Sequence, residues 1–350
     1  MNPSPPSASS TKPSFSRPQL WGGIGLIVCL CLALVAPVLG TPLNWTAIFF
    51  DSGSTDGVIF WQTRLPRVLL GIVAGCVLGI SGVVFQAVFR NPLAEPYILG
   101  ISAGAAFGRA LVTLLLPASW FLLPWFAPAA CFVSAAVPLL ALHAWFARSA
   151  HWEPTRILLA GAMINVMLGA VLMLFQAFAP AGAGRNIALW WMGSLDIIGY
   201  RELFATAAIA VLGTAWLMTQ GKALNLLTLD PISAAHLGLD TRKVARRNLL
   251  VATLMASAVV SVSGPIGFVG LVVPHVLRLL GNGDNRSLIW LSGIWGAAFL
   301  LMCDLLAWRG LGLVGNLLGS PFNHTQLPVG VVTALVGGPV FLVLLIRQAK

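Results

Sequence analysis

Apolar residues run through this chain in stretches too long and too continuous for the single apolar stripe of a soluble helix. About ten such segments emerge, near residues 20–40, 65–89, 97–116, 120–147, 156–179, 201–220, 248–263, 265–281, 288–306 and 328–347, measured against the roughly 20 apolar residues that carry a helix across a hydrocarbon layer. The pattern predicts an all-α fold, a polytopic membrane protein of about ten transmembrane helices. Composition strengthens this: 58% of residues are hydrophobic and 9% charged, with a mean hydropathy of +0.90, which excludes a water-soluble domain.

Residues 1–18 (MNPSPPSASSTKPSFSRP) hold Pro and Ser with almost no large apolar side chains and are expected to form a flexible tail, leaving 19–350 as one membrane domain. The first apolar segment has no AxA-like site after Gly40 and reads as a retained helix, not a cleaved signal. All five cysteines fall inside apolar segments without metal spacing, as small core residues do.

Several segments place small residues at helical spacing, as in Gly71, Gly75, Gly79 and Gly82, which lets helix backbones approach closely in a bundle. Ser263-Gly264-Pro265 breaks the long apolar run from Leu249 to Leu280, and Gly79-Ile80-Ser81-Gly82 followed by Asn91-Pro92 is expected to interrupt the earlier half. Paired breaks in segments of opposite direction suggest a faint inverted internal repeat around a pathway, since irregular backbone at membrane depth needs protein or a water-filled cavity to satisfy it.

The net charge of +10 is first a matter of topology. With the N-terminus inside, Arg90, Arg148, Arg156, Lys222, Arg242, Lys243, Arg246, Arg247, Arg286 and Arg347 all fall on the cytoplasmic side, as membrane proteins prefer, and both termini are cytoplasmic. Arg64 and Arg67 then lie outside, against the trend. Taken alone they read as interfacial anchors with charged heads drawn to the lipid headgroups.

The longest cytoplasmic connection, about 221–248, contains Asp230-Pro231 as a cap and first turn and Gly238 as a stop, predicting a short helix over 231–237 suited to docking in a partner's groove. Other motifs carry less. Gly310, Gly312 and Gly315 form a GxGxxG without a βαβ unit, and LSGIWG from Leu291 lies in a span while the chain has no phosphate-binding P-loop, so it cannot hydrolyse ATP itself. Ser102 in GxSxG and Ser81 in GISG, with His275 as a conceivable base, leave an intramembrane serine protease as an alternative. An ion-coupled secondary transporter is another, weakened by the lack of a regular series of intramembrane acids. Arg109 and Asp304 stand out as costly ionisable groups inside spans; Asp304 is expected to pair with Arg309.

RLPRVLLG at 64–71, SGVVFQAVFRNPLAEPYILGISAGAAFG at 81–108, MGSL at 192–195, SGPIGFVGLVVPHVLRLL at 263–280 and LPVGVVTALVGGPVFL at 327–342 together resemble the FecCD family of ABC importer permeases, over nearly everything after residue 20. The resemblance implies a non-enzymatic permease that moves a metal chelate, with a ferric siderophore as the first expectation and haem or cobalamin as alternatives. It implies a bacterial inner-membrane location and a second permease copy, a homodimer being expected. Two cytoplasmic ATPase subunits would bind ATP and Mg, this chain holding no cofactor or metal, and an extracytoplasmic binding protein would deliver the cargo.

Arg64 and Arg67 match the family's docking arginines, whose forks suit bidentate carboxylate recognition. Ser233, Ala234, Ala235, Leu237 and Gly238 match its ATPase-coupling segment, and Pro154 and Thr155 fall where its inner gate lies. Two departures are visible. The usual Asp-x-x-Ala-Arg is here Asp304-Leu305-Leu306-Ala307-Trp308-Arg309, placing the third docking arginine one position late, and the short link to Glu-Leu-Pro is a longer 310–325 loop ending in Gln326 instead of Glu.

Overall fold

The structure, a computed structural model, describes residues 17–38, 44–50, 54–115, 126–148, 154–228, 240–318 and 326–348. Ten principal helices follow the ten apolar segments: α1 Arg17–Val35, α2 Leu65–Phe89, α3 Ile101–Leu115, α4 Phe126–Arg148, α5 Pro154–Phe178, α6 Arg201–Thr219, α7 Thr241–Ser263, α8 Val269–Leu279, α9 Asn285–Leu318 and α10 Val329–Gln348. Among the described residues seven helices are long and apolar enough to cross a membrane, while α3, α8 and α10 offer shorter apolar stretches. With 11 residues, α8 rises only about 17 Å, short of the roughly 30 Å hydrocarbon layer.

The bundle is built around α2, which is buried along most of its length between α7, α8 and α9. Its glycines explain the close approach. A Cβ on Gly75 would land on the backbone of Gly296, one on Gly79 on the carbonyl of Ser292, and one on Gly82 on the carbonyl of Gly270. In lipid, where apolar surface gains nothing by leaving the solvent, such backbone contact supplies dispersion that larger side chains would prevent. The expected break at Gly79 to Gly82 is therefore absent. α2 runs unbroken to Phe89, and these glycines are the helix's contact face.

Around this centre, α1 lies on α9, where Trp21 and Trp295 meet edge-on and the Trp295 indole N–H donates to the Trp21 carbonyl at 3.1 Å. α3 packs between α4 and α5, and α7 joins α4 to α2. Outward-facing Leu34, Met167, Phe178 and Leu212 are exposed. That apolar exterior is what a chain solvated by lipid presents.

The break after α7 is where the sequence puts it. Gly264 adopts φ 68°, a left-handed conformation that glycine tolerates, and residues 265–268 are non-helical before α8 begins. A second break follows α2 at Arg90, itself left-handed with φ 49°, whose Nε donates to the Leu227 carbonyl at 2.7 Å. The α2–α8 crossing is tied by Gln86, which donates to the Gly270 carbonyl at 3.0 Å and accepts from the Arg278 guanidinium. Gln86→Leu, close in size, should cost about 1–3 kcal/mol by depriving a half-buried guanidinium of its acceptor. Thermal unfolding of the detergent-solubilised protein measures it, and a loss under about 0.5 kcal/mol would count against that role.

Toward the C-terminus the helix and the expected loop differ. α9 continues through the glycines of GLGLVG to Leu318, so the first half of the expected 310–325 loop is helical. α1 begins at Arg17, two residues inside the expected tail.

Candidate functional site

The arginine turn is positioned by one proline. Residues Phe60–Arg64 form a single π-helical turn leading into α2, and Pro66, lacking an N–H, cannot bond the carbonyl four residues back. That carbonyl, of Gln62, accepts instead from Gly199 N–H at 2.8 Å. The link draws the 194–199 connection, including Asp196, onto the turn that carries Arg64 and Arg67. Being three residues apart on one helical stretch, the two arginines share a face.

That face points at α9. Arg67 Nε donates to Asp304 Oδ1 and Oδ2 at 3.2 and 3.0 Å, and Nη2 to Oδ1 at 2.8 Å, a forked charge-assisted contact. Its Nη1 is ion-paired with Asp196. Arg64 Nη1 donates to the Pro37 carbonyl at 3.1 Å. One turn beyond Asp304, Trp308 lies under both guanidinium groups, 5.6 Å from Arg64 and 5.2 Å from Arg67, within cation–π range. Arg309 follows, exposed and within electrostatic range of Arg64.

The structure thus gathers Arg64, Arg67 and Arg309 at one end of the bundle, with two corrections. Asp304 is gripped by Arg67, not by Arg309 as expected. Trp308 sits four residues on from Asp304, on its face of α9, so an arginine one position later is rotated toward the surface. The arginines are also far from open anchors: Arg64 is 5% and Arg67 8% exposed. A recess of about 270 Å3 remains, lined by Thr63, Arg64, Arg67, Asp196, Trp308 and Gln326. Gln326 reaches it because Leu327 N–H bonds the Ala307 carbonyl at 3.1 Å. Asp196 had no motif to announce it, and Trp308 was visible only as the residue that displaces Arg309 in the departing motif.

A second constellation joins the two breaks. Glu95, buried, accepts from Phe268 N–H at 3.1 Å, and Phe268 holds φ 70°. With Tyr97, Trp191, Met192 and Val331 they wall a cavity of about 540 Å3. Irregular backbone here does line a cavity, the condition under which it is tolerated at membrane depth.

The remaining candidates separate. Ser233, Ala234, Ala235, Leu237 and Gly238, with the short helix expected over 231–237, lie outside the described residues. Pro154 opens α5 and Thr155 follows it, exposed. Ser81 is fully buried and its hydroxyl donates to the Ala252 carbonyl at 3.3 Å, which is not the geometry of an activated nucleophile. His275 packs edge-on against Phe341.

The model of the FecCD transport family matches residues 24–347. The hemin transport system permease protein HmuU of Yersinia pestis is 37% identical over 340 residues, covering 95% of this chain and 97% of that protein. A vitamin B12 import system permease protein, BtuC of Escherichia coli O157:H7, is 36% identical over 303 residues, covering 86% of this chain and 87% of its own. A solved inward-facing structure assigned to the metal-chelate type of ABC transporter superposes with a TM-score of 0.77 at 26% identity, covering 94% of this chain and 99% of that one.

Proposed function

Because the chain belongs to the FecCD transport family and is a permease of the ABC importer class, we propose that two copies of it form a path for a metal chelate, driven by separate cytoplasmic ATPase subunits that hold ATP and Mg. The reading is carried by the arginine rim. Arg64 and Arg67 lie over Trp308, with Arg309 beside them, at one end of a bundle whose other end carries Arg242, Lys243, Arg246, Arg247 and Arg286. The positive-inside preference then turns the basic end to the cytoplasm, together with both termini, and the arginine rim outward to receive acidic groups of a delivery protein. Transport changes no covalent bond in the cargo. The permease supplies access, and the delivery protein supplies affinity.

Among ferric siderophore, haem and cobalamin, we favour a metal tetrapyrrole. The curated relatives above are named for hemin and vitamin B12, and the cavity wall offers Trp191, Tyr97 and Phe268, rings that suit a large planar macrocycle. Permease reconstituted with its ATPase and delivery protein in vesicles should accumulate hemin or cobalamin in an ATP-dependent way. Accumulation of a ferric hydroxamate alone would overturn the tetrapyrrole choice, and import that stops only on collapse of an ion gradient would overturn the importer reading.

Docking is best tested at Arg309, whose side chain is exposed. Arg309→Glu should reduce delivery-protein-stimulated ATP hydrolysis several-fold while the complex still assembles, and wild-type docking should weaken as salt rises, since exposed pairs are screened beyond about 8 Å at physiological ionic strength. Stimulation that is unchanged in the variant and indifferent to salt would remove the docking assignment.

A further inference from the structure

Resting on the docking reading above, we propose that Asp196 is an internal competitor for the delivery protein's carboxylate, so that docking proceeds by exchange of one acid for another on Arg67. All three nitrogens of that guanidinium are already engaged, Nε and Nη2 by Asp304 and Nη1 by Asp196. The two acids are not equivalent. The Asp304 side chain is 4% exposed and fixed on α9, whereas that of Asp196 is 65% exposed on the connection leading to α6 and opens into the recess beside Trp308 and Gln326.

Local bonds preset Asp196 for this place. Its N–H donates to Ser194 Oγ at 3.0 Å and the Ser194 hydroxyl donates back to its second carboxylate oxygen, while Ser194 N–H is held by the Ser263 carbonyl at 2.7 Å. The acid is therefore placed by a short pinned turn, with little side-chain entropy to recover if it lets go of Arg67. An incoming glutamate meets an arginine fork whose accessible nitrogen is occupied by a solvent-facing acid, and only that acid can be displaced without moving a helix. Docking set this way is weak and readily reversed, as suits a carrier that must leave after each delivery.

The experiment measures binding of the fluorescently labelled delivery protein to the permease complex in nanodiscs. Asp196→Asn keeps the shape and removes the charge, and should tighten docking about three- to five-fold, the worth of one exposed ion pair, mostly through a faster association rate. Asp196→Ala, which also removes the acceptor, should shift docking in the same direction. The Asp196 side chain is largely exposed, so size-exclusion profiles of both variants should match wild type. Arg309→Glu is measured alongside. Unchanged or weaker docking in both Asp196 variants, with Arg309→Glu weakened, overturns the competitor role and leaves the docking surface standing. Docking unaffected by any of the three substitutions overturns the docking reading itself.

Discussion

Asp304→Asn should destabilise the folded chain by about 3 kcal/mol, near the low end of the 3–5 kcal/mol expected when a buried charge loses its partner. Arg67 is buried and gives Asp304 two of its nitrogens. The variant leaves it with only Asp196, which is exposed and screened, so the loss is large without reaching the upper limit. Heating the purified protein and following the monodisperse fraction by size exclusion measures this. The double variant Arg67→Met with Asp304→Leu should recover more than half of the loss, because a well-packed apolar pair can replace a buried ion pair at little cost. A single-variant loss below about 1 kcal/mol would show that the pair does not hold α2 to α9. By the same logic Arg67→Glu, setting a third carboxylate beside Asp196 and Asp304, should misfold rather than merely fail to dock.

Gly82→Ala should be as severe, at about 3 kcal/mol or more, although it adds one methyl group. Its Cβ would fall on the backbone carbonyl of Gly270, and a helix backbone cannot turn aside as a side chain can. Gly23→Ala is the matched control: nothing lies within 4 Å of a Cβ there, so stability should stay within about 0.5 kcal/mol. Expression and thermal stability of the two variants side by side test the crossing. Equal behaviour would show that α2 does not meet α8 backbone to backbone.

These contrasts mark how much the sequence discloses. The ten helices were legible because apolar runs of this length have few alternatives, and the break at Gly264 because Gly-Pro removes both a side chain and a donor. Gly79 and Gly82 carry two readings in the sequence, a close-packing face and an interruption; the structure keeps the first and not the second, because in the bundle packing outweighs glycine's weak helix propensity. The helical path through Gly310, Gly312 and Gly315 was missed for the same reason. At the arginine rim, Arg64 and Arg67 were marked by their motif and Asp304 by the cost of an acid in a span, but which arginine met that acid was a tertiary matter. Arg309 was near in sequence. Arg67, 237 residues away, won in space. Asp196 had no local sign at all: it reaches the site through the carbonyl that Pro66 leaves without an intrahelical donor, a link between residues 62 and 199 that no periodicity encodes.

From Asp304, α9 climbs on to Leu318, about 21 Å at 1.5 Å per residue. The ion pair therefore sits at the foot of a column, not on a flat shore. A delivery protein docking as proposed would have that column as a neighbour, and a reporter fluorophore near residue 318 would register its arrival.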